Sequence, residues 1–221
     1  MQDFLQHASD FLPILLKGAV VTVQVTVLAF LLSSVLGLVL ALGKLSPIKA
    51  VSMVSSTIIN VIRGLPIIVQ LFYIYFVLPD FGIQLSAFQA GVIGLGIAYS
   101  AYQAENFRAG IEAVDPGQRE AALAMGMRPA MLMRRVILPQ AFRIALPPYG
   151  NTLVMMLKDS SLVSTITVAE MTRAGQLIAS STFQNMTVYT LVALLYLAMS
   201  LPLVGMLRRI EKRFGAGKRK P

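Results

Sequence analysis

Positions 18–43 form a run of 26 residues without a charged side chain, and that run constrains this chain more than any other feature. A membrane-crossing helix needs roughly 20 apolar residues at 1.5 Å rise each. A buried helix of a soluble protein rarely goes so far without a charge. Four further stretches follow. Residues 50–79 are broken once, by Arg63; residues 81–104 carry no charge; residues 144–169 are broken only by Lys158 and Asp159; residues 174–207 are again charge-free. The apolar residues run on rather than alternate, which argues against a membrane barrel. The expectation is an all-α polytopic membrane protein, a single domain over 1–221, with five spans at about 18–43, 54–79, 86–108, 145–168 and 187–207.

Composition agrees. Only 13% of residues are charged, about half of what soluble domains carry. With no cysteine, a thiol enzyme, a disulfide scaffold and a cysteine-ligated metal site are excluded. The single histidine, His7, cannot form a histidine triad or a histidine-rich metal centre. No catalytic or metal site is expected. The first apolar run is too long for the core of a cleavable signal, and the segment before it is acidic (Asp3, Asp10) rather than basic.

The net charge of +9 would suggest nucleic acid in a soluble protein, but its placement points elsewhere. With the N-terminus outside, the inner segments hold Lys44, Lys49, Arg108, Arg119, Arg128, Arg134, Arg135, Arg143 and the tail Arg208, Arg209, Lys212, Arg213, Lys218, Arg219 and Lys220. Outside lie only Lys17 and Arg173. This bias orients the chain with its N-terminus outside and its C-terminus in the cytoplasm. The +9 is thus a topology signal, and the tail is expected near anionic lipid headgroups, with no nucleic-acid partner.

The segment at about 109–143 is a polar cytoplasmic loop with local order. Asp115 is placed to cap a helix, Pro116 suits its first position, and Gly126 suits the turn after it. A second helical piece is expected from Pro129 to Leu138, stopping before Pro139. A solvated helical connector would account for this much. The spacing is more specific: Glu120-Ala121-Ala122, three residues, Gly126, nine residues, then Val136-Ile137-Leu138-Pro139.

This pattern resembles the cytoplasmic signature of permease subunits of binding-protein-dependent ABC importers, Glu-Ala-Ala-x-x-x-Gly, nine residues, Ile-x-Leu-Pro, with Val136 as the one departure. Other stretches are similar to the polar amino acid branch of that family: Arg63-Gly64-Leu65-Pro66 with Gln70, Ala104 through Gly110, Pro139-Gln140-Ala141, and Leu157 through Leu162. The resemblance covers nearly the whole chain. It implies a type I importer permease in a bacterial inner membrane. It also implies a second permease subunit, identical or related, a pair of ATPase subunits and an extracytoplasmic substrate-binding protein. The loop residues Glu120, Ala121, Ala122, Gly126, Leu138 and Pro139 would couple the spans to the ATPase. Met125, Met127, Met131 and Met133 lie in the same segment, as contact-surface thioethers or as packing residues. The chain has no Gly-x-x-x-x-Gly-Lys-Ser/Thr run, so ATP and Mg would sit on the partner and the chain itself is not an enzyme. Gly91, Gly94 and Gly96 lie within a span, where small residues serve close helix packing.

Polar residues inside the spans are the candidates for a substrate pathway. Asn60, Arg63 and Gln70 fall near one face if the second span is helical, with Gly64 and Pro66 interrupting the backbone. Pro66 leaves the Ile62 carbonyl free for another partner. Arg63 reads either as a pathway residue or as a snorkelling structural cation. Tyr99, Tyr102, Gln103 and Asn106 form a stripe on the third span, with Glu105 beside it and within reach of Arg63 by depth. On the fourth span Lys158 and Asp159 form a costly charged pair, with Thr152 on the face of Asp159, Thr165 on that of Lys158, and hydroxyls at Ser160, Ser161 and Ser164. Lys158 suits a substrate carboxylate and Asp159 an ammonium or guanidinium, with Ser161, Gln70 and Asn60 as neutral partners.

Import of a polar amino acid is the reading favoured by the resemblance. Import of an opine, ectoine or cystine-like zwitterion is an alternative, and an ATP-independent secondary transporter is another. A signalling or scaffold membrane protein would carry no flux.

Overall fold

The structure, a computed structural model, describes residues 2–214. Lys218, Arg219 and Lys220 of the basic tail, both chain ends and the Asp3 side chain lie outside what the structure describes. Among the described residues every regular element is a helix. They are α1 (Gln2–Lys44), α2 (Lys49–Gly64), α3 (Ile67–Phe72), α4 (Ala87–Glu112), α5 (Pro116–Ala124), α6 (Pro129–Leu132), α7 (Leu138–Asp159), α8 (Met171–Thr182) and α9 (Asn185–Phe214).

By length and composition, residues 7–44 and α9 can each cross a membrane, and two bent pairs bring the number to four if each pair is one span. The remaining expected span, the third at about 86–108, corresponds to α4, 26 residues long but diluted in apolarity by Gly, Gln and Ser. α1 is longer than expected: its 43 residues extend about 64 Å. Much of its surface is apolar and open, with Val20, Val23, Val27, Leu31, Val35, Val39 and Leu42 all exposed. Side chains of this kind find their solvent in lipid rather than water.

α4 is the central helix. It packs along α1 on one side and α7 on another, and its glycines set the approach. A Cβ added at Gly94 would stand 2.6 Å from Leu71 Cδ2, one at Gly96 2.6 Å from Leu32 Cδ2, and one at Gly91 3.2 Å from Val163 Cγ1. Three glycines thus admit three different neighbours, as small-residue packing between membrane helices requires. The core at this level joins Val25, Ala29, Leu71, Leu95, Tyr99, Met156 and Ile166. A second core packs Phe11, Leu15 and Ala19 of α1 on Met171, Ile178, Val188 and Leu191.

Two expected spans are not straight helices. At Leu65-Pro66 the chain turns by 101° between α2 and the segment 67–81. The carbonyl freed by Pro66 is taken by Gln70, whose Nε2 donates to Ile62 O (2.9 Å) and Leu65 O (3.0 Å). Gln70 therefore lies beyond the bend and does not share a helix face with Asn60 and Arg63. In the fourth, α7 ends at Asp159, passes into a 3-10 segment over Ser160–Ile166, and bends 51° into α8. Thr165 does not continue the face of Asn151 and Lys158, because the tighter 3-10 turn shifts the register.

The loop's second helix also differs from expectation. It does not stop before Pro139 but continues from α6 through a π turn (Met133–Ile137) into α7. A proline ring collides with the carbonyl four residues back in α geometry. Here that carbonyl, on Arg135, lies in the widened turn, so the helix survives the proline.

Candidate functional site

The loop at about 109–143 is built from short, well-terminated pieces. Asp115 Oδ1 accepts from the Gly117 N–H at 2.7 Å, and Pro116 occupies the first turn of α5. At the other end Gly126 has φ +78°. Its N–H donates to Leu123 O (2.9 Å), and the Met127 N–H donates to Ala122 O (3.1 Å). These two bonds close a Schellman turn, which a left-handed residue makes at a helix end. Nothing lies within 4 Å of where a Gly126 Cβ would stand, so the glycine answers to backbone angle and not to crowding inside the chain.

The motif divides into two faces. Ala122 is buried in a small core with Ile111, Val114, Leu132, Ile137 and Ala141, which ties α5 to the ends of α4 and α7. Glu120 and Ala121 are exposed, and so are Leu123, Met125 (79%) and Leu138. Pro139 is exposed as well. A nine-residue helix is thus fixed from below and presents an acidic and apolar surface above.

The polar residues of the spans separate into three groups. In the first, Glu105 is held by the Lys44 ammonium (2.6 Å to Oε1) and the Arg108 guanidinium (2.7 Å to Oε2), and Arg108 also reaches Glu112. The Glu105–Arg63 pairing that depth alone allowed is not made. Lys44 at the end of α1 is nearer, while Arg63 lies exposed over the Tyr102 ring, 5.6 Å from its centroid. Asn60 is exposed on α2.

In the second group α4 meets α7. Asn106 Nδ2 donates to Gln103 Oε1 (3.2 Å) and to Thr152 Oγ1 (3.0 Å), and the Thr152 hydroxyl donates to Pro148 O. Gln103 is fully buried, and its Nε2 has no hydrogen-bond partner among the described residues. One turn further along α4 the Tyr99 hydroxyl donates to Asp159 Oδ2 at 2.6 Å. Lys158 is exposed and makes no ion pair with its neighbour; adjacent positions diverge by about 100° around a helix. Ser161 is half-buried just past the helix end. Gln103 and Asp159 are thus brought together on one interface, while Asn60, Arg63, Gln70 and Glu105 lie apart from it.

Comparison with known proteins decides what this arrangement belongs to. Residues 33–216 match the binding-protein-dependent transport system inner membrane component family. The chain belongs to that family. It is similar to the L-cystine transport system permease protein TcyB of Bacillus subtilis (strain 168), 38% identical over 88% of this chain and 82% of the relative. It is equally similar to the glutamine transport system permease protein GlnP of Escherichia coli (strain K12), 38% identical over 91% of this chain and 93% of the relative. Among solved structures, an amino acid ABC transporter crystallised with histidines has a chain 44% identical to this one. The two superpose with a TM-score of 0.91, covering 95% of this chain and 98% of that one.

For an inner membrane transport component, a third polar group is the least anticipated. Glu170, absent from the sequence reading, is fully buried at the corner before α8. Its Oε1 accepts from the Arg173 N–H (2.7 Å). Its Oε2 accepts from the Thr172 N–H (2.9 Å), the Thr22 hydroxyl (3.2 Å) and the Tyr196 hydroxyl (3.1 Å). It caps α8 while tying it to α1 and α9. The one sequence signal was an N-cap-like position: an acidic residue at a break between apolar runs, followed by a helical segment.

Proposed function

We propose that this chain is the permease subunit of an ATP-driven importer for a polar amino acid in a bacterial inner membrane. The observation that carries the reading is the 0.91 superposition over 95% of the chain on the amino acid ABC transporter. The permease works with a second permease subunit, a pair of ATPase subunits that hold ATP and Mg, and an extracytoplasmic binding protein. It performs no hydrolysis itself. It has five spans: α1, the bent α2–α3 segment, α4, the bent α6–α8 segment and α9, with the N-terminus outside and the basic C-terminus inside. This count is supported by two long apolar helices, two bent apolar pairs and the central α4.

Coupling passes through α5. A flexible loop would absorb the displacement of a closing ATPase, whereas a helix capped at both ends and buried through Ala122 passes it on to α4 and α7. Glu120, Leu123 and Met125 form the surface the ATPase grips. The polar amide and carboxylate groups between α4 and α7 supply partners for a zwitterion, whose charges cannot cross a low-dielectric path alone. Asp159 meets the cationic end, since Tyr99 occupies only its Oδ2 and its Oδ1 accepts no hydrogen bond among the described residues.

The test is reconstitution in proteoliposomes with the cognate ATPase subunits and binding protein, with radiolabelled amino acids offered singly. ATP-dependent uptake of glutamine, arginine or histidine is expected, and omission of the ATPase abolishes it. ATP-independent uptake would instead indicate a secondary transporter. ATP-dependent uptake confined to cystine, an opine or ectoine would replace the substrate class and leave the mechanism standing.

A further inference from the structure

A groove of about 450 Å³ lies between α1, α4 and α7, lined by Leu38, Phe107, Leu138, Phe142 and Tyr149 among others. Its floor has no free polar group. Ser34 donates to Phe30 O (2.7 Å), so the 2.8 Å contact between Ser34 and Tyr149 is a bond donated by the tyrosine. The Tyr149 ring is wedged between Phe30 and Phe107, with centroids at 4.8 and 5.7 Å. An occupant of the floor is therefore apolar.

The length of the groove is informative. From Leu138 to Tyr149 it follows twelve residues of α7, about 16 Å from end to end at a rise of 1.5 Å per step. Half of a bilayer's hydrocarbon core is about 15 Å. At the Leu138 end, one turn of the π segment away, lie Arg134 and Arg135, both exposed and neither in an ion pair among the described residues. Arg143, also exposed and unpaired in the same sense, lies beside Phe142. The groove thus joins an apolar trough one leaflet long to a cationic mouth.

We propose that this groove seats one acyl chain of an anionic phospholipid, with Arg134 and Arg135 on its phosphate. Basic sites between helices on the cytoplasmic side have the chemistry for anionic headgroups. A second copy of the chain fits less well. It would have to supply anionic side chains against Arg134 and Arg135 as well as an apolar ridge, whereas an anionic lipid supplies both in one molecule. The inference rests on the membrane placement proposed above and is independent of the solute carried.

The 221-residue chain has no tryptophan, so Phe142→Trp supplies a single fluorescent reporter at a position 64% exposed. The variant is reconstituted in phosphatidylcholine vesicles with a minor fraction of phosphatidylglycerol, with bromine quenchers on the acyl chains of one lipid or the other. Per mole of brominated lipid, phosphatidylglycerol should quench about fivefold more for each arginine engaged. Arg134→Gln with Arg135→Gln should bring the two lipids to parity. Leu146→Trp is the second reporter if Phe142→Trp does not insert. Equal quenching by both lipids in the parent reporter would overturn the site while leaving the membrane reading intact. No quenching by either would mean that protein covers the groove, which also overturns it.

Discussion

Replacing Glu170 tests whether the α8 corner is held by the contacts described. In Glu170→Ala all four donors lose their acceptor, but not equally. The Thr22 hydroxyl retains Gly18 O at 3.2 Å, and the Tyr196 hydroxyl retains Thr172 Oγ1 at 3.0 Å. The N–H groups of Thr172 and Arg173 have no such alternative on the carboxylate's removal. Each N–H left without its acceptor at this part-buried corner costs about 1–3 kcal/mol, so the variant should lose at most about 4 kcal/mol. For a chain of this size that is a fall in melting temperature on the order of 10 °C. Glu170→Gln should lose less, about 1–3 kcal/mol, because one oxygen can still serve the Oε2 donors while its amide opposes the Arg173 N–H. Tyr196→Phe should cost at most about 1 kcal/mol, since three donors remain on the carboxylate. Thermal unfolding in detergent, followed by circular dichroism, reads all three. A fall of under about 2 °C for Glu170→Ala, or a Tyr196→Phe variant weaker than Glu170→Ala, would refute the argument.

Gly126→Asp should insert normally and lose ATP-driven uptake, because Asp is among the side chains that tolerate φ +78° and its Cβ meets nothing within 4 Å, which leaves the added charge to act on the docked ATPase. Gly126→Asn, which tolerates φ +78° without adding charge, should keep most activity in the same proteoliposome assay. Asp159→Asn preserves an acceptor for Tyr99 but removes the charge; arginine uptake should fall about tenfold and glutamine uptake less than about threefold, and unimpaired uptake of both would assign Asp159 to structure alone. A tag ahead of Met1 should be reachable on intact cells and one after Pro221 only after permeabilisation; both on one side would mean an even number of spans.

What the sequence determined by itself is what depends on a few neighbouring residues. The apolar runs called for helices because their length and lack of charge suit only a hydrocarbon environment. Asp115, Pro116 and Gly126 marked both ends of α5, since a cap is set within four residues of the helix end. Pro66 foretold the freed Ile62 carbonyl, although the angle of 101° was beyond it. The partners of the charged groups came only with the tertiary structure. Glu105 meets Lys44 across 61 residues, Asp159 meets Tyr99 across 60, and Glu170 meets Thr22 across 148. Depth in the membrane allowed Glu105 to reach Arg63 as well as Lys44, and a one-dimensional pattern has no means to rank them. Only the packing of α1 on α4, set by where glycines let the helices approach, placed Lys44 first and left Arg63 over Tyr102.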